Sequence, residues 1–272
     1  MSVKLGIGTY TYTWSVGFSD QMPAQPMSGL GLLAKARDLG VRVVQIGPNL
    51  PLDRLSAAEL ESLVAQARQW GITLEVGTTG LEPKHLRRYL AITRRVGATL
   101  LRTVPDVAGG NPPTMAQIAD QLGSIVPDLE ASGVSLAIEN YKVPVVDLRR
   151  LLEALDSPWV GICLDTVNSL AVAEGTEVVT KTLAPYTKCL HVKDFIIQRA
   201  WHMMGFIVEG RPAGKGQLNI PWLLDSLRCA GVSPNVILEL WVPPQKTSPE
   251  TVALEQAWAA ESIEFLRQYI AD

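Results

Sequence analysis

The chain has 272 residues, 47% of them hydrophobic and 19% charged, with a formal net charge of −3 at pH 7. That composition excludes a disordered chain and supplies enough apolar surface for a large core. A slightly acidic balance without basic runs excludes the usual nucleic-acid partner, and no apolar run reaches the ~18 residues of a membrane span.

Short apolar runs alternate with longer amphipathic ones along the chain. Strands are predicted at Val3–Gly8, Val41–Ile46, Ile72–Val76, Thr99–Thr103, Val134–Glu139, Trp159–Asp165, Thr187–Lys193 and Asn235–Leu240. Each is rich in Val, Ile or Leu, as a strand covered on both faces must be. Helices are predicted between and after them, at Ser28–Leu39, Ser56–Trp70, Pro83–Val96, Thr114–Ser132, Val145–Asp156, Leu170–Ala184, Ile220–Ala230 and Pro249–Tyr269. Ser56 followed by Glu59 has the spacing of a capping box. A glycine closes five of the helices, at Gly40, Gly71, Gly97, Gly133 and Gly231, and the next strand follows at once. Glycine is the residue that most easily takes the left-handed conformation ending a helix. Eight such β/α units in one chain predict an α/β fold, a single (β/α)8 TIM barrel spanning residues 1–272. A doubly wound open sheet is the second choice. It would normally carry a Gly-rich phosphate turn after the first strand, and Gly6 and Gly8 do not complete one. The stretch Asp194–Asn219 shows no periodicity and reads as a long functional loop.

Cys163, Cys189 and Cys229 have no CxxC spacing and read as small apolar residues of a reducing compartment. The start of the chain lacks a basic segment and an apolar core, so no signal peptide is expected and the protein is placed in the cytoplasm.

In such a barrel the chemistry sits at the C-terminal strand ends. Four consecutive predicted strands end in Glu139, Asp165, His191 and Glu239. Isolated charges on strands this apolar are costly to bury without a partner, and one divalent cation would partner all three carboxylates. Three carboxylates with one imidazole suit Mn²⁺ first, with Mg²⁺, Co²⁺ or Zn²⁺ as alternatives. Around this set, Tyr10 and Tyr12 follow strand one, Gln45 lies on strand two, Glu75 ends strand three and Arg102 ends strand four. Asn168 follows strand six, Lys193 ends strand seven and Arg211 lies in the long loop. All eight are expected to line the substrate pocket. Arg102, Lys193 and Arg211 either neutralise the carboxylates or grip an anionic substrate group.

The phrases AIENY (Ala137–Tyr141), GICLDTVNS (Gly161–Ser169), CLHVKDF (Cys189–Phe195), GRPAGKGQLNI (Gly210–Ile220) and ILEL (Ile237–Leu240) together resemble the xylose isomerase-like sugar phosphate isomerase/epimerase superfamily. The resemblance spans the chain. It implies that Glu139, Asp165, His191 and Glu239 hold a metal and that Glu139 and Glu239 are the catalytic acid/base pair on opposite faces of the substrate. Two departures stand out. Asp165-Thr166-Val167-Asn168 replaces the Asp-Thr-x-His of the epimerases, and Glu139-Asn140-Tyr141 replaces their Glu-Asn-His. Both remove imidazoles that would touch substrate.

The first reading is therefore a divalent-metal-dependent isomerase or epimerase acting beside the carbonyl of a small sugar through an enediolate. The alternative is a metal-dependent decarboxylase of a 3-oxo sugar acid, or a dehydratase of a keto-polyol. The expected partner is a small sugar or sugar-acid substrate, with no nucleic acid and no membrane. A homo-oligomer is compatible with the sequence.

Overall fold

The computed structural model describes residues 3–17, 22–106 and 113–271. Its strands are β1 (Leu5–Gly8), β2 (Val43–Ile46), β3 (Thr73–Thr79), β4 (Leu100–Val104), β5 (Ser135–Glu139), β6 (Val160–Asp165), β7 (Thr187–Val192), β8 (Asp194–Arg199), β9 (Phe206–Arg211) and β10 (Asn235–Leu238). Eight of them close into a parallel barrel in the order β1-β10-β7-β6-β5-β4-β3-β2, and β8 pairs with β9 in a separate two-stranded sheet. The helices are α1 (Thr13–Val16), α2 (Gly29–Asp38), α3 (Ala57–Gln69), α4 (Pro83–Arg95), α5 (Met115–Ser132), α6 (Val145–Leu155), α7 (Thr176–Leu183), α8 (Ile220–Cys229) and α9 (Ser248–Leu266). This is the TIM-barrel architecture the sequence predicts. Among the described residues no helix is long and apolar enough to cross a membrane.

The local chemistry explains the joints. Gly40, Gly71, Gly97, Gly133 and Gly231 all have positive φ, between 64° and 77°, so each helix turns into its strand through the left-handed conformation. Ser56 and Glu59 make the capping box at the start of α3.

Two predicted segments differ. The helix expected over Leu170–Ala184 is broken: a 3₁₀ turn covers Asn168–Val172, Ala173 is left-handed, and α7 begins only at Thr176. The break frees Glu174, whose carboxylate accepts from the backbone N–H of Val145 and so caps α6. The stretch Asp194–Asn219 is not a plain loop, because its first half is the antiparallel hairpin β8–β9. The glycine-rich return of that hairpin wraps a buried carboxylate. Asp194 accepts from the backbone N–H groups of Phe195, Gly214, Gly216 and Leu218 at 2.8–3.0 Å. A Cβ at Gly216 would fall 2.1 Å from Asp194 Oδ1, so only glycine fits that approach.

The barrel interior is layered. Val43, Leu100, Ala137, Cys163, Cys189 and Ile237 form one apolar cluster inside it. The larger core, which includes Leu101, Ile138, Leu164 and Leu190, is a separate cluster. Strand side chains alternate between faces. Two residues beyond each member of the interior cluster therefore comes the next inward position: Gln45, Arg102, Glu139, Asp165, His191 and Glu239. An apolar ring thus carries a polar ring directly above it. Strand β1 brings no side chain inward here. A Cβ at Gly6 would lie 2.7 Å from Val43 Cβ and 2.9 Å from Ile237 Cδ1, so the glycine lets those two close the ring.

Candidate active site

The polar ring is almost fully buried: Glu139, Asp165, His191 and Glu239 are at most 2% exposed. His191 Nδ1 lies 3.1 Å from Glu239 Oε1, 3.5 Å from Glu139 Oε2 and 3.9 Å from Asp165 Oδ2. Neither this nitrogen nor those Glu139 and Asp165 oxygens makes an aligned hydrogen bond. Burial pushes the His191 pKa well below its usual value, helped by the Arg102 charge. A neutral imidazole aims a lone pair at the carboxylates instead of sharing a proton with them. Glu139, Asp165 and His191 form a buried group with ligand atoms close enough to hold one ion, and Glu239 adjoins it. The donor set fits a divalent cation, since a ring nitrogen without a hydrogen bond and carboxylate oxygens held only by ion pairs converge on one point.

Two cations press on the carboxylates. Arg102, 3% exposed, pairs through Nη2 with Glu139 Oε2. Lys193 Nζ sits 2.8 Å from Asp165 Oδ2 and 2.8 Å from Glu239 Oε2. Burial disfavours the Lys193 ammonium, yet the Asp165 and Glu239 charges hold its pKa above the ordinary value. Burial likewise opposes the Arg102 charge, and Glu139 outweighs it. Burial pushes Glu139 up to about 7 against the pull of Arg102. Arg102 keeps two buried nitrogens, Nε and Nη1, without a hydrogen bond. A guanidinium with two orphaned donors is a receptor for an anion or a carbonyl.

Asn168 and Tyr10 complete the rim. The Asn168 amide donates to Glu139 Oε1 and its oxygen faces Lys193 Nζ at 3.4 Å. The Arg102 guanidinium carbon lies 5.9 Å from the Tyr10 ring centroid. Burial raises the Tyr10 pKa, and the charges of Arg102, Glu239, Glu139 and Lys193 all reach it.

Three predicted pocket residues, Tyr12, Arg211 and Glu75, are placed elsewhere, and Gln45, a member of the polar ring, has its amide fully engaged. Tyr12 is 2% exposed within the main core, and the charges nearest its hydroxyl are Glu255 and Asp38, on α9 and α2. Arg211 is held at the base of the hairpin, donating to Glu209 Oε2 at 2.9 Å and to the Gly210 carbonyl. Glu75 lies in the layer below the rim, where it accepts from Asn235 Nδ2 at 2.7 Å and Gln45 Nε2 at 3.0 Å. Gln45 uses both ends of its amide, one on Glu75 and the other on His191 Nε2 at 2.8 Å. Of the cysteines, Cys163 and Cys189 are buried as expected, but Cys229 is exposed.

Two site residues went unread in the sequence. Asn140, fully buried, accepts from the Asp165 N–H at 2.6 Å and donates to the Asp165 carbonyl and Ser169 Oγ. It fixes the backbone from which Asp165 projects. Thr166 exchanges hydrogen bonds with both backbone groups of Lys193 and so ties the end of β6 to the end of β7. Both follow strand-end acids directly, and that adjacency was the available signal.

A closed parallel barrel whose C-terminal rim gathers three carboxylates, one imidazole, a buried guanidinium and a half-buried ammonium defines a polar-substrate enzyme site of the TIM-barrel class. Comparison narrows the class. Residues 33–269 match the model of the xylose isomerase-like TIM barrel, and the chain belongs to that family. It is 34% identical over 265 residues to 3-oxo-isoapionate decarboxylase of Pectobacterium atrosepticum, covering 97% of this chain and 95% of that one. D-psicose 3-epimerase of Clostridium cellulolyticum H10, solved with D-tagatose, shares the fold with a TM-score of 0.75 at 16% identity, over 98% of this chain and 99% of that one. A xylose isomerase-like TIM barrel protein of Mycobacterium smegmatis, solved in complex with magnesium, superposes with a TM-score of 0.71 at 13% identity and 96% coverage of both.

Proposed function

We propose that this protein is a metal-dependent decarboxylase of a 3-oxo sugar acid. The observation that carries the reading is Arg102, a buried guanidinium with two unpaired nitrogens beside a cluster of candidate metal ligands. A neutral ketose has no group that needs it, whereas a sugar-acid carboxylate does. The full-length relative named as a 3-oxo-isoapionate decarboxylase supports the same substrate class. So does the charge count: three carboxylates against Arg102 and Lys193 leave −1, and a divalent ion turns this to +1.

Glu139, Asp165, His191 Nδ1 and Glu239 would hold the ion, with Mn²⁺ the first choice for so oxygen-rich a set. When bound, it would supply Lewis-acid stabilisation for negative charge gathering on the 3-oxo oxygen. Arg102 receives the substrate carboxylate and sets its plane relative to the ketone. Asn168 and Tyr10 contact the hydroxyls at the mouth. As the bond between C2 and the carboxyl carbon breaks, CO2 leaves and its electron pair stays on the sugar as an enolate. Glu239 or Glu139 delivers the proton that closes the reaction at that carbon, and Lys193 compensates the carboxylate charge.

One observation favours the isomerase reading: Glu139 Oε2 and Glu239 Oε1 lie 3.5 Å and 3.1 Å from the same His191 Nδ1, and two carboxylates at one centre suit taking a proton with one and returning it with the other. One experiment separates them. The Mn²⁺-loaded protein is incubated in D2O with a 3-oxo sugar acid and with a neutral ketose, and both are followed by NMR. Release of CO2 from the acid with deuterium left at the same carbon supports the decarboxylase. Proton exchange in the neutral ketose without CO2 from the acid returns the protein to the isomerases.

A further inference from the structure

We infer that Glu75 and Gln45 form a positioning relay that fixes which nitrogen of His191 faces the metal. This inference rests on the preceding reading of the carboxylate–imidazole cluster as a metal site.

The chain of hydrogen bonds admits one polarity. Both Glu75 oxygens serve as acceptors here. It is buried in the layer below the rim, and three groups converge on it: Asn235 Nδ2 at 2.7 Å on Oε1, Gln45 Nε2 at 3.0 Å and the Cys189 thiol at 3.8 Å on Oε2. Glu75 therefore dictates that Gln45 turns its NH2 end downward. The Gln45 carbonyl oxygen is then the end that meets His191 Nε2, at 2.8 Å. An amide oxygen accepts, so Nε2 carries a proton, and in the neutral ring the lone pair falls to Nδ1. That bare Nδ1 is the atom among the three carboxylates, with no hydrogen-bond partner of its own. Reverse the amide and the proton moves to Nδ1, where it would block coordination.

The site gains from this arrangement. Metal-bound imidazoles ordinarily donate their other N–H to a carboxylate, which puts a negative charge beside the ring. Here Gln45 stands between, so the carboxylate sets the polarity from one residue further away. The three ligand carboxylates already crowd the ring, and a fourth next to it would favour a charged imidazolium over a neutral ligand. With the amide interposed, the ring is oriented without that penalty. Glu75 and Gln45 are thus positioning residues, which touch neither the ion nor the substrate.

The test begins with the metal-free wild type. The chain has three histidines, His85, His191 and His202, so long-range ¹⁵N–¹H correlations can be assigned with His85→Gln and His202→Gln. The expected His191 pattern is a protonated Nε2 and a bare Nδ1; a protonated Nδ1 overturns the inference. Mn²⁺ affinity is then measured by titration calorimetry. Gln45→Met keeps the side-chain length and removes the acceptor, and it should weaken Mn²⁺ binding by roughly 10–100-fold. The double variant Gln45→Glu with Glu75→Gln reverses the order of carboxylate and amide. It still offers His191 Nε2 an acceptor and Asn235 an oxygen, so it should keep the proton on Nε2, while the carboxylate now beside the ring leaves Mn²⁺ binding weaker than in the wild type. Unchanged affinity in folded Gln45→Met, or a double variant whose His191 carries its proton on Nδ1 and not on Nε2, overturns the relay. If the wild type takes up no Mn²⁺, the metal-site reading fails, and the tautomer measurement still decides the relay by itself.

Discussion

Buried carboxylates in this protein live in two kinds of surroundings. At the rim, Glu139, Asp165 and Glu239 face each other, an imidazole and two cations, and several of the atoms involved lack aligned hydrogen bonds. Away from the rim, Glu75 and Glu255 are just as buried, yet neutral donors surround them. Glu255 accepts from Trp14 N at 2.7 Å, Ser15 N at 2.9 Å and Ser15 Oγ at 2.6 Å, and so pins α1 to α9. A carboxylate satisfied by neutral donors serves the fold. Carboxylates gathered in excess of their donors, at a cost in stability, await a ligand. The difference separates candidate catalytic acids from structural ones without any appeal to position in the chain.

The comparison predicts its largest effect at Glu239. Glu239→Gln retains an oxygen that can coordinate, so part of the metal affinity should persist. Turnover should fall by about 10²–10⁴-fold, the usual contribution of a general acid–base group. The measurement is kcat alongside metal content by elemental analysis. Near-wild-type kcat in both Glu239→Gln and Glu139→Gln would remove the acid/base assignment and leave the two kinds of carboxylate functionally alike.

Glu255 is predicted to act on stability alone. Burial pushes its pKa up from 4.5 to about 7. A carboxyl whose folded value is raised stabilises the fold fully below the unfolded value and loses that contribution as pH rises through the folded value. Wild-type stability should therefore decline between about pH 4.5 and pH 7, by about 3 kcal/mol in all from this group. In Glu255→Gln that part of the slope should vanish. Urea unfolding at pH 5, 6, 7 and 8 checks it, and parallel profiles for the two proteins would contradict it.

How much of this contrast could be read from the sequence follows from what determines each part. The eight strands and the glycine joints are local, and each depends on a few neighbouring residues. The four acidic and basic strand ends were legible because a charge closing an apolar run is conspicuous. Depth was not legible. Gln45 and Glu75 lie on inward strand positions like Arg102 does, but the tilt of the strands puts Glu75 beside Asn235 at the start of β10, a relation between residues 160 apart. Glu255 escaped for the same reason, with partners more than 200 residues away. The hairpin over Asp194–Arg211 hid because Phe206, Ile207 and Val208 form an unbroken apolar run, all three of them exposed, where alternation would have signalled a strand.

Arg102 should give the next effect in size. Arg102→Met ought to raise KM for a 3-oxo sugar acid by about 1.5–3 kcal/mol, the worth of a charge-assisted hydrogen bond, while moving KM for its neutral analogue much less. The variant also removes the Glu139 partner, so metal content is measured in parallel to separate the two losses. Equal changes on both substrates would mean that Arg102 only neutralises Glu139, and the isomerase reading would regain its ground.

The smallest effect is predicted at Arg211, and it sharpens the boundary of the site. Its sequence position, in the glycine-rich return after β7, suggested a third cation at the rim. Its guanidinium is instead engaged with Glu209 and the Gly210 carbonyl, with its side chain 27% exposed. A partly exposed pair of this kind contributes within about 1 kcal/mol. Arg211→Gln should therefore leave KM for the anionic substrate within about twofold of wild type and change unfolding stability by less than about 1 kcal/mol. Steady-state kinetics on the sugar acid and one urea titration suffice. A KM increase rivalling that of Arg102→Met would show that the hairpin folds over the substrate during turnover and brings this cation to the carboxylate. The division between a charged rim and a self-satisfied periphery would then hold only for the ligand-free protein.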